Sequence, residues 1–348
     1  MHSYAYKSQI ELLIDSDTMG LVSSIHEFRG KQELYLSTKP QILERLTEIA
    51  KIQSTEASNR IEGIETSRKR LLEIMDEKTE PKSRNQEEIA GYRDVLALIH
   101  EAHDDIKLTP SNILTLHNRL YSFAKELDIG GHWKIGNNVV TEYDGKGGSF
   151  VRFKPVDAYL VPENMDALCA AYTSALESGV EPLLAIPLFV LDFLCIHPFA
   201  DGNGRMSRLL TLLLLYRSGY LVGKYISVEM LIDQSKQTYY DSLEKSDQGW
   251  FENRNDPKPF VHYLLGVILK AYREFEERYS ETLTEKIGSK ERVLSLIAKS
   301  LAPLTKKEII ELCPEFSQKT IEVALGVLIK DGKILRLGAN KTSSYKAK

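Results

Sequence analysis

The sequence predicts a mainly α protein with one internal β-hairpin and a small basic domain at its C-terminal end. Three observations predict it. Apolar residues recur at three- and four-residue spacing through most of the 348 residues, the period of an amphipathic helix. One interval, 134–155, breaks that period with two β-prone runs around Asp144-Gly145-Lys146-Gly147-Gly148, which is turn material. The charge is uneven: the chain carries −4, whereas residues 290–348 hold twelve Lys and Arg against six acids, a local +6.

Taken in order, residues 40–53 read as a helix, followed by 86–103, 110–126 and 163–178. Residues 183–196 and 205–217 are apolar nearly all round, so they read as buried central helices. The second ends at Ser218-Gly219, a helix stop. A long amphipathic helix covers 258–280. Beyond it come helix 290–299, helix 305–312 and helix 317–330, then the β-prone runs KILRLG and SSYKA. Thr305 and Ser317 suit N-caps, because their hydroxyls accept an orphan amide hydrogen bond. Three helices followed by a hairpin resemble a winged helix-turn-helix. The expected domains are 1–98, an N-terminal helical region; 99–277, the core; 278–289, a linker; and 290–348.

Composition narrows the function. With 43% hydrophobic and 27% charged residues the chain is globular, which excludes a disordered or low-complexity protein. A net charge of −4 excludes a globally basic nucleic-acid binder but not a local patch. Cys169, Cys195 and Cys313 are odd in number and far apart, as in a reducing compartment. The opening MHSYAYKSQIELLIDSD reaches acids before any apolar core, unlike a secretory signal. The most apolar stretch, 183–196, is interrupted by Pro187 and Asp192 and falls short of the ~20 residues of a membrane span. The expectation is a soluble cytoplasmic protein.

The chemistry concentrates in Ile196-His197-Pro198-Phe199-Ala200-Asp201-Gly202-Asn203-Gly204-Arg205-Met206-Ser207-Arg208. A buried helix must end near Ile196, since Pro198 disfavours helix at the residue before it. A new helix starts near Gly204, and its amides and positive dipole end make an anion site. Arg205 and Arg208, three apart, both reach that first turn and can clamp phosphate oxygens. Asp201 offers the hard oxygen that Mg²⁺ prefers when it also binds phosphates. His197 can take a proton from an incoming hydroxyl near neutral pH. A base, a metal ligand, an amide cradle and two arginines suit transfer of a phosphate-containing group.

This stretch matches the Fic motif HPFxDGNGRxxR at every fixed position, with Ala200, Met206 and Ser207 in the variable ones. The resemblance spans roughly residues 100–270. It implies a helical core with a β-hairpin flap, and transfer of AMP from ATP to a Ser, Thr or Tyr hydroxyl of a target protein with release of pyrophosphate. It makes His197 the general base and Asp201 the Mg²⁺ ligand. Asn203 and the amides of Gly202, Gly204 and Arg205 would hold phosphates, and Arg208 the γ-phosphate. Asn138, Val139, Val140 and Thr141 fall where the family's flap pairs with a target segment as an added strand. Lys134 stands where the family often has Arg, and the insertion around Asp144–Gly148 is longer than a minimal flap; both bear on target choice. Tyr239 and Tyr240, followed by Asp247, resemble the region lining the adenine pocket.

Ser58-Asn59-Arg60-Ile61-Glu62-Gly63 matches the family's inhibitory pattern (S/T)xxxE(G/N), upstream of the core as in class II. Glu62 can pair with Arg208 and remove it from the γ-phosphate. The resemblance therefore implies a self-inhibited protein adenylyltransferase. Two alternatives stand beside it: removal of AMP from a modified protein with Glu62 orienting water, alone or with the forward reaction, and a DNA-binding regulator acting through residues 290–348. UTP or GTP as donor stays open. The expected partners are ATP, Mg²⁺ and a target protein. Automodification, a homodimer, and DNA or protein binding by 290–348 are further expectations. Cys195 reads as core, His100 and His103 as a solvated helix face, and Trp133 and Trp250 as packing residues.

Overall fold

Burial of two central helices, with a few polar side chains satisfied inside, organises the first part of the chain. The computed structural model describes residues 2–38, 40–143, 149–284, 288–300, 303–313, 316–338 and 343–347. It opens with α1 (Tyr6–Leu13), α2 (Ser16–Thr38), α3 (Pro40–Ile61) and α4 (Arg68–Met75). Then come α5 (Arg84–Ala102), α6 (Pro110–Leu120) and strands β1 (Val140–Tyr143) and β2 (Ser149–Phe153). The core continues with α7 (Val161–Glu177), α8 (Pro182–Ile196) and α9 (Asn203–Arg217), followed by α10 (Val228–Gln234), α11 (Lys236–Asp247) and α12 (Lys258–Thr284). The last elements are α13 (Ser289–Lys299), β3 (Leu304–Thr305), α14 (Lys306–Leu312), α15 (Gln318–Lys330), β4 (Ile334–Leu337) and β5 (Ser344–Ala347). The protein is mainly helical, and it divides into two units at Arg278/Tyr279. Among the described residues no helix is long and apolar enough to cross a membrane.

In the first unit α8 packs against α7 and α9. Residues 183–193 of α8 are all buried. Each Leu or Phe so enclosed contributes about 1.5–3 kcal/mol relative to an exposed one. Pro182 opens α8, where a missing N–H costs nothing, and the Glu181 carboxylate accepts the Leu183 amide at 3.1 Å. Pro187 lies inside the helix without ending it. Buried Asp192 is fully occupied: Tyr6 Oη donates at 2.8 Å and Trp250 Nε1 at 2.7 Å. Trp250, expected only to pack, is therefore also a donor that ties the chain after α11 to α8.

Several helices differ from their sequence ranges for local reasons. α3 continues to Ile61, where Gly63 (φ 76°) closes a Schellman-type end and the Ile64 amide returns to Asn59 O at 3.0 Å. α6 stops at Leu120 instead of reaching 126, because Tyr121 leaves helical angles (φ −104°) and turns its hydroxyl to Arg205. α12 runs on to Thr284, so helix occupies the first half of the expected linker, and residues 278–287 contain no Gly or Pro to stop it. His100 is buried and accepts or donates at Tyr216 Oη (3.2 Å), so it is not on a solvated face. β1 and β2 pair antiparallel, with Tyr143 opposite Ser149. The expected turn 144–148 lies outside the described residues.

The second unit has its own core, including Val293, Ile309, Ile321, Leu325 and Ile334. Thr305 forms a capping box with Glu308, and Ser317 caps α15 by accepting the Thr320 amide at 3.2 Å. The three strands order β3-β5-β4, all antiparallel. The short β3 was not anticipated; it pairs Leu304 with Tyr345.

α5 and α6 cross at Gly91. A methyl group there would collide with the backbone carbonyl of Leu120, which has no side-chain freedom to yield. Gly91→Ala should lower unfolding stability by about 1–3 kcal/mol, the usual scale of core overpacking. Urea unfolding checks it; an unchanged midpoint would mean that the helices separate freely.

Candidate active site

The loop between α8 and α9 is built carbonyl by carbonyl. His197 ends α8 in the left-handed region (φ 50°, ψ 61°), a conformation that costs a non-glycine residue about 1–3 kcal/mol. Lys134 Nζ donates to Ile196 O at 3.3 Å, and the Lys134 amide donates to Pro198 O at 2.8 Å. Phe199 O accepts from Asn138 Nδ2 (3.1 Å) and from Asn203 Nδ2 (2.8 Å). His117 Nε2 donates to Asp201 O at 3.1 Å, while its Nδ1 accepts the Gly131 amide. The His117 ring lies flat on Phe199, centroids 3.6 Å apart. Gly202, at φ 82°, completes the turn against Tyr121.

This frame sets the chemistry of His197. Its Nδ1 faces Leu194 O at 3.3 Å and so carries the proton, which leaves Nε2 as the free base. Burial pushes the imidazole down to about 4, against a smaller upward effect of that hydrogen bond. At neutral pH the ring is uncharged and ready to accept a proton. It lines a cavity of about 470 Å³. Gly202, Asn203 and Gly204, at the start of α9, line it too, so the positive end of a helix faces the same space.

Arg208 closes the inner end. It is 3% exposed, and three contacts hold it: Nε to Ser58 Oγ, Nη2 to Ser58 O and Nη2 to Glu62 Oε1, each 2.8 Å. Burial works against its charge, but Glu62 and the tyrosines around it outweigh that and hold it firmly protonated. The Glu62 carboxylate also lies against Gly204, in the first turn of α9, where an anion is favoured. Ser58 and Glu62, far from the motif in sequence, thus meet its last residue.

Other expected residues take different places. Arg205 does not reach the cavity: it is 1% exposed, ion-paired to Glu88 Oε2 at 2.7 Å, and donates to Tyr121 Oη at 2.7 Å. Its side chain braces α9 on α5 and α6 instead of clamping phosphate. The Asn203 side chain is likewise consumed, bridging Phe199 N and O. Asp201 lines the cavity mouth; Oδ1 accepts the Gly202 amide and Oδ2 meets Arg84 at 3.3 Å. Val140 and Thr141 line the cavity, whereas Asn138 and Val139 precede β1. Asn138 is bound into the loop frame, as is Lys134, whose place is beneath the motif and not at a target surface. Buried Tyr239 and half-exposed Tyr240 line the opposite wall. There Asp247 meets Arg152 of β2 at 2.6 Å; burial, only partly offset by Arg152, pushes its carboxyl up to about 6. His117 and Arg152 had no signal in the sequence pattern, and Lys134 was marked only as a departure from the family's Arg, because each works through contacts that only the fold creates.

Residues 107–215 match the Fic/DOC family. This chain carries a Fic domain. Protein adenylyltransferase fic-1 of Caenorhabditis elegans is 28% identical over 168 residues, 48% of this chain and 28% of that protein. Protein adenylyltransferase Fic of Drosophila willistoni is 31% identical over 166 residues, 47% of this chain and 28% of that protein. The chain therefore matches under a third of the length of these relatives. In overall fold it is similar to a Fic family protein from Desulfovibrio desulfuricans G20, with a TM-score of 0.63 over 96% of this chain and 97% of the other at 23% identity. It is also similar to Fic-1 of C. elegans, residues 134–508, with a TM-score of 0.59 over 76% and 73% at 20% identity.

Within the Fic domain His197 in the loop and His117 of α6 beneath it should show opposite tautomers. Ring-nitrogen NMR of the ligand-free protein should find His197 protonated on Nδ1 and His117 on Nε2, both neutral from pH 8 to pH 5. The sign follows from burial: a depressed imidazole pKa keeps the neutral form down to about 4 in each ring. A His197 ring titrating near 6.5, the free value, would show that water reaches it.

Proposed function

We propose that this protein is a self-restrained protein adenylyltransferase. One observation carries it: a neutral His197 with a free Nε2 shares a cavity with the α9 amides and with Arg208, and Arg208 is held by Glu62. Its relatives carry the adenylyltransferase name. In the transfer, a Ser, Thr or Tyr hydroxyl of the target gives its proton to His197 Nε2 as its oxygen attacks the α-phosphorus of ATP. The new O–P bond forms as the bond to the β-phosphate oxygen breaks, and pyrophosphate leaves. The first-turn amides of α9 hold the phosphates, and Arg208, once released, meets the γ-phosphate. Tyr239 and Tyr240 offer aromatic faces for the adenine. Val140 and Thr141, which line the same cavity as His197, support target pairing along β1.

Asp201 fits a magnesium ion that takes most of its ligands from phosphate and water. It presents one partly exposed carboxylate at the cavity mouth, and among the described residues there is no cluster of three or more potential ligands. Bound there, the ion would neutralise phosphate charge. The second unit, with its basic balance and its helices α13–α15 beside three strands, supports a winged-helix reading. Its test is DNA binding that weakens as salt rises.

Incubation with labelled ATP, Mg²⁺ and lysate tests the function. Glu62→Gly should label targets or itself strongly, with wild type nearly silent. Glu62→Gly with Arg208→Ala should be silent again; persistent labelling would mean that Glu62 restrains something else. The exposed carboxylate of Glu62 in the cavity favours one rival, water-driven removal of AMP. That reaction wins if wild type strips AMP from a modified protein and Glu62→Gly does not.

His197→Ala in the Glu62→Gly background should reduce transfer by about 10²–10⁴-fold, the usual contribution of a general base. Circular dichroism checks that the fold survives. Unchanged transfer in a folded variant removes His197 from the chemistry.

A further inference from the structure

The Glu62–Arg208 pair does not by itself say why α3 ends where it does. Three contacts from outside the cavity hold its last turns. Arg60 gives Nε (2.9 Å) and Nη2 (2.7 Å) to Asp233 Oδ2, at the end of α10. The Lys236 ammonium, at the start of α11, donates to Ile61 O at 2.7 Å. About two turns earlier, Ser54 Oγ donates to the buried Glu229 carboxylate at 2.7 Å.

The Lys236 contact is informative. A cation at the first position of a helix faces the positive end of its own dipole, so α11 gains nothing from it. The Ile61 carbonyl, by contrast, belongs to the last four of α3, which have no partner within the helix, and it marks the negative end. Lys236 is therefore placed for α3. Its acceptor is one peptide unit from Glu62. The next amides also close on this turn: Glu62 N on Asn59 O and Gly63 N on Arg60 O, both 3.0 Å. Neither Asp233 nor Lys236 lines the cavity. Both touch the residues flanking Glu62; Lys236 Nζ also lies over the ring of Tyr240, 5.9 Å from its centroid, so amide exchange without nucleotide is the readout that isolates the effect on α3.

We propose that Asp233 and Lys236 are positioning residues that set the resting place of the Glu62 carboxylate, acting through Arg60 and the Ile61 carbonyl. The proposal rests on Glu62 being the brake and names what holds the brake on. Removing both holds frees the end of α3, so Arg208 is released more often.

The test uses the full chain, comparing wild type, Glu62→Gly and Asp233→Asn with Lys236→Met. Two readouts are taken: amide hydrogen exchange over residues 58–64 without nucleotide, and transfer from labelled ATP. Losing these charged hydrogen bonds should speed exchange over 58–64 by about ten- to a hundredfold, with α8 unchanged. Transfer should rise to between wild type and Glu62→Gly. Lys236→Arg, which keeps a donor, should stay slow in exchange and low in transfer. Asp233→Asn alone keeps the side-chain shape and should shift both readouts in the same direction, less far. Unchanged exchange over 58–64 overturns the proposal. So does faster exchange with wild-type transfer when Glu62→Gly is active. If Glu62→Gly is itself silent, the brake has failed as a reading, and the exchange data alone decide whether Asp233 and Lys236 position this turn.

Discussion

A guanidinium with 3% of its surface exposed must find anions and carbonyls or leave the interior, and much of the first unit is arranged around that demand at Arg208. Removing one partner of a buried charge pair costs about 3–5 kcal/mol, because the other charge stays behind uncompensated. Ser58 and Glu62 meet the demand in the resting protein. Restraint of the cation and stability of the fold are thus one interaction. The pair is also unequal: the Glu62 side chain is 33% exposed, so it is the partner that can leave for water. Arg208 cannot, and it needs another anion in exchange.

The same accounting explains the loop that precedes Arg208. Between Ile196 and Asp201 four carbonyls point away from any helix or strand, and each has a named donor: Lys134 for Ile196 and Pro198, Asn138 and Asn203 for Phe199, His117 for Asp201. A loop so fully bonded can hold His197 in a left-handed conformation that would otherwise relax. Leu194 O then fixes the tautomer. The polar residues beneath the motif are spent on its carbonyls. They make the free Nε2 a property of the resting structure.

What was legible in the sequence was what is contiguous. His197 through Arg208 spans one loop and one helical turn, so spacing alone places a base, an anion site and a carboxylate together. The buried pair α8 and α9 was legible for a similar reason: an apolar surface all round a helix leaves no choice but enclosure. The direction of each side chain was not legible. Arg205 and Arg208 are three apart and look equivalent, but Glu88 and Tyr121 draw one away, while Glu62 draws the other inward. Asn203 looked like a phosphate ligand and is spent on Phe199. Lys134, His117 and Arg152 lie 62, 84 and 95 residues from the groups they serve, and no periodicity encodes such contacts.

In the self-restrained enzyme we propose, the position of Glu62 lets a modest interaction silence the site. Its carboxylate stands at the C-terminal end of α3, where a negative charge is disfavoured, and at the N-terminal end of α9, where it is favoured. Leaving the first and entering the second are the same small step, and an incoming triphosphate would compete for the second alone. On that proposal, release asks only that the last turn of α3 let the Glu62 carboxylate go. If closure is favoured by about 2.7 kcal/mol, only about 1% of molecules present a free Arg208, and the productive affinity for nucleotide falls about a hundredfold. A brake of that size is within the reach of a few charged hydrogen bonds at the end of one helix.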